Sequence, residues 1–250
     1  MFVRTQQDLE ALGRIKFPAD KSFRSARFLT ASDQMGFSYN ENRVAADTVL
    51  DVWLKNHWEA NYIVSGQGHV KDHSTQQQWD LKAGVLYVVG PNDRHRLTFP
   101  ADECHISIFF PPLTGNERFD EDGSYEPSGP IERTERRMFV RHADKFEQLD
   151  QQHSTGIGQI QTSDLLTDTD RIGFNLADIR IAAGADVTFR CESRCEAYHI
   201  LNGCSTVTDI NTDKRWTLES GTNISVRPGA AFHMQAKTDL HLLKVTSHQQ

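Results

Sequence analysis

The chain has 250 residues and carries 27 Lys plus Arg against 34 Asp plus Glu, a net charge of −7. With no basic cluster to neutralise phosphates, nucleic acid is excluded as a partner, and no apolar run approaches the eighteen or so residues of a membrane span. The opening residues, including Gln6, Gln7, Asp8, Glu10 and Arg14, do not read as a signal peptide, so a cytoplasmic protein is expected.

In chain order, the polar stretch 6–13 reads as a short helix. Segments 60–64, 85–89 and 106–110, rich in β-branched and aromatic residues, read as strands. Turn signals separate them: Ser65-Gly66-Gln67-Gly68, Ala83-Gly84 and Gly90-Pro91-Asn92. Glu126-Pro127-Ser128-Gly129-Pro130 and the charged run to Arg137 suit an exposed linker. Beyond it the order repeats, with a short helix at 143–148 and strands at 198–201, 205–210, 223–226 and 240–245. Many short strands at regular spacing predict an all-β sandwich or barrel.

The two halves are copies. Met1-Phe2-Val3-Arg4 returns as Met138-Phe139-Val140-Arg141, and the same shift of 137 carries Glu59 to Glu196, Gly66 to Gly203, Trp79 to Trp216, Gly84 to Gly221 and Pro91 to Pro228. One offset holding over more than ninety positions marks a tandem duplication, with domains expected at 1–128 and 137–250. Residues kept in both copies maintain the shared fold, whereas polar residues kept in one are candidates for chemistry. The four cysteines, Cys104, Cys191, Cys195 and Cys204, are too few for a disulfide framework and are expected as reduced, mostly buried thiols.

Glu59 with Gly66, then Gly84 leading to Pro91 and His95, resembles the two motifs of the cupin family, and Glu196, Gly203, Gly221, Pro228 and His233 repeat them. The resemblance implies a bicupin of two double-stranded jelly rolls. In such a barrel, inward side chains of neighbouring strands converge, so Glu59, Tyr87 and His95 are candidate ligands of a divalent metal. Two oxygens and one imidazole nitrogen suit iron or zinc more than copper, and three protein ligands leave positions for substrate. Taken singly, the three also fit plainer roles: a hydrogen-bonding carboxylate at the mouth, a core aromatic and a surface histidine. Under the shift, Tyr87 becomes Ile224 and His95 becomes Phe232, so the second copy keeps the framework and loses the site. His233 sits one position late, either beside Glu196 or as a rim histidine. His57 is a candidate cavity residue, and the remaining histidines, His105 among them, read as solvated or structural.

His57-Trp58-Glu59-Ala60, the Tyr87 strand, His95, and above all Pro111-Pro112-Leu113-Thr114-Gly115-Asn116-Glu117 with Glu121-Asp122-Gly123-Ser124-Tyr125 resemble the ectoine synthase family over residues 1 to 126. In the second copy only the cupin framework is recognisable. The resemblance implies an iron-dependent cyclising hydro-lyase, with zinc as the alternative metal, acting on N-γ-acetyl-diaminobutyrate or a close analogue. It places the metal ligands on Glu59, Tyr87 and His95 and substrate contacts on Arg27, Asn40, Phe109 and Glu117, with Glu117 also catalytic. Phe23, Asn42 and Leu54 stand where the family usually has tryptophan, threonine and tyrosine, which points to an altered substrate. Another iron-dependent cupin oxygenase or lyase, and a non-catalytic solute binder, remain the alternatives. Because single-domain cupins commonly pair, the second barrel is expected to serve as an intramolecular partner, a pseudo-dimer that itself dimerises or not.

Overall fold

The computed structural model describes residues 1–18, 22–118, 120–131, 135–145, 149–150 and 160–248. Strands dominate, as the periodicity predicts: the segments expected at 60–64 and 106–110 lie inside Trp58–Ser65 and Glu103–Phe110, and Val85–Val89 and Asn223–Val226 have the expected bounds. The first helix runs over Gln6–Ala11. Of the helix expected at 143–148, Ala143–Lys145 forms a single 3-10 turn, and 146–148 lie outside the described residues.

Each copy forms a seven-stranded and a four-stranded antiparallel sheet. In the leading barrel the larger sheet runs in the order Phe139–His142, Val85–Val89, Trp58–Ser65, Glu103–Phe110, Ser38–Val44, Phe23–Leu29, Ile15–Lys16. The smaller one runs Thr48–Trp53, Arg94–Phe99, Gln67–Asp72, Gln78–Lys82. Between them lies a core that includes Ile63, Val70, Leu81, Val85, Val89 and Phe99, each no more than 1% exposed.

The compact units do not divide at the linker. One comprises Leu9–Lys145 and the other Met1–Asp8 with Phe146–Gln250. The sequence places the join at 128–137, but the strand that opens each copy completes a sheet built from the other copy, within one compact unit. Phe2–Arg4 pairs with Asn223–Val226, setting Val3 opposite Ile224, and Phe139–His142 pairs with Val85–Val89, setting Val140 opposite Tyr87. The two tetrapeptides are identical, so local sequence cannot distinguish this exchange from pairing within one copy.

Two glycines show why the framework repeats. Gly66 (φ +86°) and Gly203 (φ +97°) occupy the left-handed region, and a Cβ would lie 2.4 Å from the Asp102 carbonyl oxygen in one and 2.3 Å from that of Asp239 in the other. Neither conformation nor space admits a side chain.

Candidate active site

Alternation along each strand sends every second side chain inward, and the register lines these up across the leading barrel's larger sheet. One row reads Val140, Tyr87, Asn61, Ser107, Asn40, Arg27. The next reads Val89, Glu59, Phe109, Ser38, and on the other side lie Ile63, His105, Asn42, Ser25. From the facing sheet, His95 enters on the strand Arg94–Phe99, opposite Val52. These rows surround a cavity of about 610 Å³, counting the space at its mouth. Phe23, Asn40, Asn42, Leu54, Glu59, Tyr87, His95 and Phe109 all line it, so eight expected site residues converge on one space.

Arg27 and Glu117 do not line that cavity directly. They form a buried pair, with Arg27 Nη1 3.5 Å from Glu117 Oε2 and side chains 7% and 4% exposed. Tyr125 lines the cavity and hydrogen-bonds Arg27. The Leu-Thr-Gly-Asn-Glu loop is turned back on Glu117, whose carboxylate accepts hydrogen bonds from the Thr114 and Gly115 backbone N–H groups, the latter at 2.9 Å. Although burial opposes it, those donors hold Glu117 below the usual carboxylate range and therefore ionised. The tail that carries it straps the barrel: Leu113 O accepts from Ala31 N–H at 2.6 Å, and Asp122 O accepts from Trp53 N–H at 3.0 Å on the opposite sheet. His57, fully buried, packs edge-on against Phe109 and Tyr125 with ring centroids 6.4 and 6.2 Å away.

Burial dominates the electrostatics of the three candidate ligands. His95 is 1% exposed, and its Nδ1–H donates to the Asp93 carbonyl oxygen at 3.1 Å. Its Nε2 is buried and takes no hydrogen bond among the described residues. Burial lowers the imidazole pKa to about 4, which leaves a neutral ring with a free lone pair. Tyr87 lies edge-on to it at 6.4 Å between centroids. Burial, then the charges of Glu59 and Glu103, raise the phenol pKa, and burial raises that of Glu59. Among the described residues no three His, Cys, Asp or Glu side chains share metal spacing. A metal here therefore depends on the Tyr87 phenol as its third donor. The orphaned Nε2 from one sheet, with a carboxylate and a phenol from the facing sheet, lines one cavity and fits a divalent ion.

The family model for ectoine synthase matches residues 1–129 and 138–248. The chain belongs to the ectoine synthase family. It is accordingly a lyase, and the second match corrects the expectation that only a cupin framework is recognisable beyond residue 137. Among curated relatives, L-ectoine synthase of Desulfosudis oleivorans is 42% identical over 127 residues, spanning 50% of this chain and 97% of the relative. Those of Mycolicibacterium gilvum and Oceanobacillus iheyensis are 35% identical, over 51% and 50% of this chain and 97% and 96% of the relatives. Among solved structures, E. coli Ylba superposes with a TM-score of 0.71 at 11% identity, covering 99% of this chain and 90% of its own. A Bacillus subtilis oxalate decarboxylase gives 0.70 at 11%, covering 100% and 78%. At that identity these matches establish the fold, the two-barrel cupin architecture expected from the motifs.

In the second copy of this ectoine synthase family chain the corresponding positions carry different side chains. The row Val3, Ile224, Tyr198, Lys244, Ala177, Asp164 takes the place of Val140, Tyr87, Asn61, Ser107, Asn40, Arg27. Glu196 persists but is claimed from within: Tyr198 O–H donates to Oε2 at 2.5 Å and Lys244 Nζ lies 2.7 Å from Oε1. Phe232, in the His95 position, stacks on Phe189 at 5.0 Å and meets Tyr198 at 5.2 Å. His233 pairs with Asp186 and not with Glu196, because its side chain lies on the other face of its strand. Two further expectations need correction. His105 is a buried wall residue of the cavity, and of the four free cysteines only Cys191 is buried, the others being half-exposed.

Proposed function

We propose that the leading barrel closes N-γ-acetyl-diaminobutyrate, or a close analogue, to a cyclic amidine with loss of water, in the cytoplasm. The observation that carries this reading is the convergence of eight expected site residues on one cavity, with the lone pair of His95 Nε2 unpartnered there among the described residues. The substrate's free amine attacks its own acetyl carbonyl carbon, a C–N bond forms, and the former carbonyl oxygen leaves as water. A divalent metal held by Glu59, Tyr87 and His95, iron in our reading, supplies Lewis-acid polarisation of that carbonyl. Everything else falls to the chain. Arg27, whose Nε is buried without a hydrogen-bond partner among the described residues, holds the substrate carboxylate. Glu117, kept ionised by its backbone donors, orients the amine and takes its proton. Phe109, Leu54 and Tyr125 exclude water, which favours dehydration, and the cavity holds both ends of one molecule within reach of each other.

Phe23, Asn42 and Leu54 adjust that pocket toward the analogue. The second barrel acts as a structural partner: the strand that opens it completes the sheet on which Tyr87 sits. Incubating metal-loaded protein with N-γ-acetyl-diaminobutyrate should give a product lighter by one water, and Glu59→Ala should abolish both product and stoichiometric metal. Turnover by metal-free protein, or undiminished turnover by the variant, would refute the reading.

A further inference from the structure

Five polar side chains on the inner wall form a hydrogen-bonded relay, two of which, Asn61 and Ser107, also hydrogen-bond the Glu59 carboxylate. Glu103 Oε2 lies 2.7 Å from His105 Nδ1, and His105 Nε2 lies 3.2 Å from Asn42 Nδ2. That same nitrogen donates to Ser107 Oγ at 2.8 Å, and Ser107 donates to Asn61 Oδ1 at 2.5 Å. Glu103 and His105 are 3% and 7% exposed, and the imidazole stacks on Phe99 with an interplanar angle of 10°.

The donor inventory fixes the direction of this chain. The His105 Nδ1–H donates to the Glu103 carboxylate. Burial opposes a charge on this ring and Glu103 favours it, with the pKa raised on balance; when the ring is neutral Nε2 is an acceptor, and the Asn42 atom facing it is N–H. Ser107 has one hydrogen, which goes to Asn61, so toward Asn42 it also accepts. Both Asn42 amide hydrogens are thereby committed along the wall, and its carbonyl oxygen remains for the cavity that Asn42 lines. In the second barrel the members disappear together: Glu103, His105 and Asn42 correspond to Leu240, Leu242 and Ile179, all buried. Ser107 and Asn61 correspond to Lys244 and Tyr198, which engage Glu196 instead, so the relay is not required by the fold.

We propose that Glu103 and His105 are positioning residues that lock Asn42 as a hydrogen-bond acceptor, making this barrel selective for a substrate with an uncharged N–H at that point. The inference rests on the proposed cyclisation. That substrate offers two kinds of N–H donor, and with Glu117 taking the amine, the amide N–H is left for Asn42. A site built to pair a polar group discriminates against the isostere that lacks it.

The test compares N-γ-acetyl-diaminobutyrate with its ester isostere, 2-amino-4-acetoxybutanoate, in which oxygen replaces the amide N–H. Assays are run at about pH 9, because Glu103 raises the His105 pKa and alkaline pH favours the neutral ring. The wild type should bind the amide roughly tenfold or more better than the ester, read as KM against Ki. The Glu103→Leu/His105→Leu double variant, which copies the second barrel, and Asn42→Leu should each bring that ratio near unity, with the loss falling on KM for the amide. His105→Gln, whose amide oxygen can take the Nε2 position, should restore part of it. Independently of turnover, side-chain ¹⁵N NMR should show His105 protonated at Nδ1 and pyridine-like at Nε2. The opposite tautomer, or unchanged discrimination in the double variant, overturns the proposal. Absence of any turnover of the amide by wild type overturns the proposed reaction instead, and the tautomer still decides the relay.

Discussion

Ending the chain after residue 130 removes Phe139–His142 from the edge of the sheet that carries Tyr87, and the structure allows the cost to be worked out. The four pairs from Phe139↔Val88 to His142↔Val85 represent roughly four ladder hydrogen bonds, each contributing about 1 kcal/mol net. Met138, 6% exposed, and the partly buried Val140 pack on the core cluster that includes Tyr87, adding about 2–4 kcal/mol. Arg137 Nε lies 3.1 Å from Asp93 Oδ1, and its loss strands a carboxylate that is fully buried and whose pKa burial already raises. Together these exceed roughly 6 kcal/mol, comparable with the total stability of a domain. Fragment 1–130 is therefore expected to be unfolded or aggregated, while fragment 9–145, which retains the whole compact unit, folds. Urea titration followed by tryptophan fluorescence, with size-exclusion chromatography, distinguishes them. A monomeric 1–130 fragment within 1 kcal/mol of the longer one would refute the reasoning.

Gly66→Ala and Gly203→Ala should each cost about 2–4 kcal/mol, because each combines a left-handed backbone with a Cβ driven into a carbonyl oxygen; an unshifted melting temperature would contradict this. Lys244→Met should lower the stability of the second barrel by about 2 kcal/mol, since Glu196 would keep only the Tyr198 hydrogen bond. A neutral or stabilising effect in denaturant titration would show that Lys244 is dispensable. Burial pushes the Cys104 and Cys191 thiols up to about 12. A raised thiol pKa leaves little thiolate at neutral pH, so iodoacetamide should modify both slowly at about pH 8 and faster as pH rises toward 12. Native labelling as quick as that of urea-unfolded protein would count against it.

Much of the site could be read in advance because duplication supplies its own control. Tyr87 and His95 stand out since the matched positions hold Ile224 and Phe232, and the Leu-Thr-Gly-Asn-Glu loop stands out since it has no second occurrence. His105 does not stand out, although Leu242 takes its position in the second copy, because a lone histidine in an apolar strand reads as structural until its neighbours are known. Arg27 and Glu117 were each legible as site residues, but their pairing spans ninety positions and depends on how the tail straps the barrel.

By itself the sequence determined the two-barrel fold, the glycines that permit its turns, and the asymmetry between a polar and an apolar barrel, since these follow from local conformation and from side-chain type. Which strand closes which sheet was decided only in three dimensions. Identical tetrapeptides have identical local preferences, and the choice falls to whichever sheet edge buries them. The polar relay was likewise decided by tertiary structure. Alternation places Glu103, His105 and Ser107 on one face, but cross-strand register alone brings Asn42 and Asn61 within hydrogen-bonding distance of them.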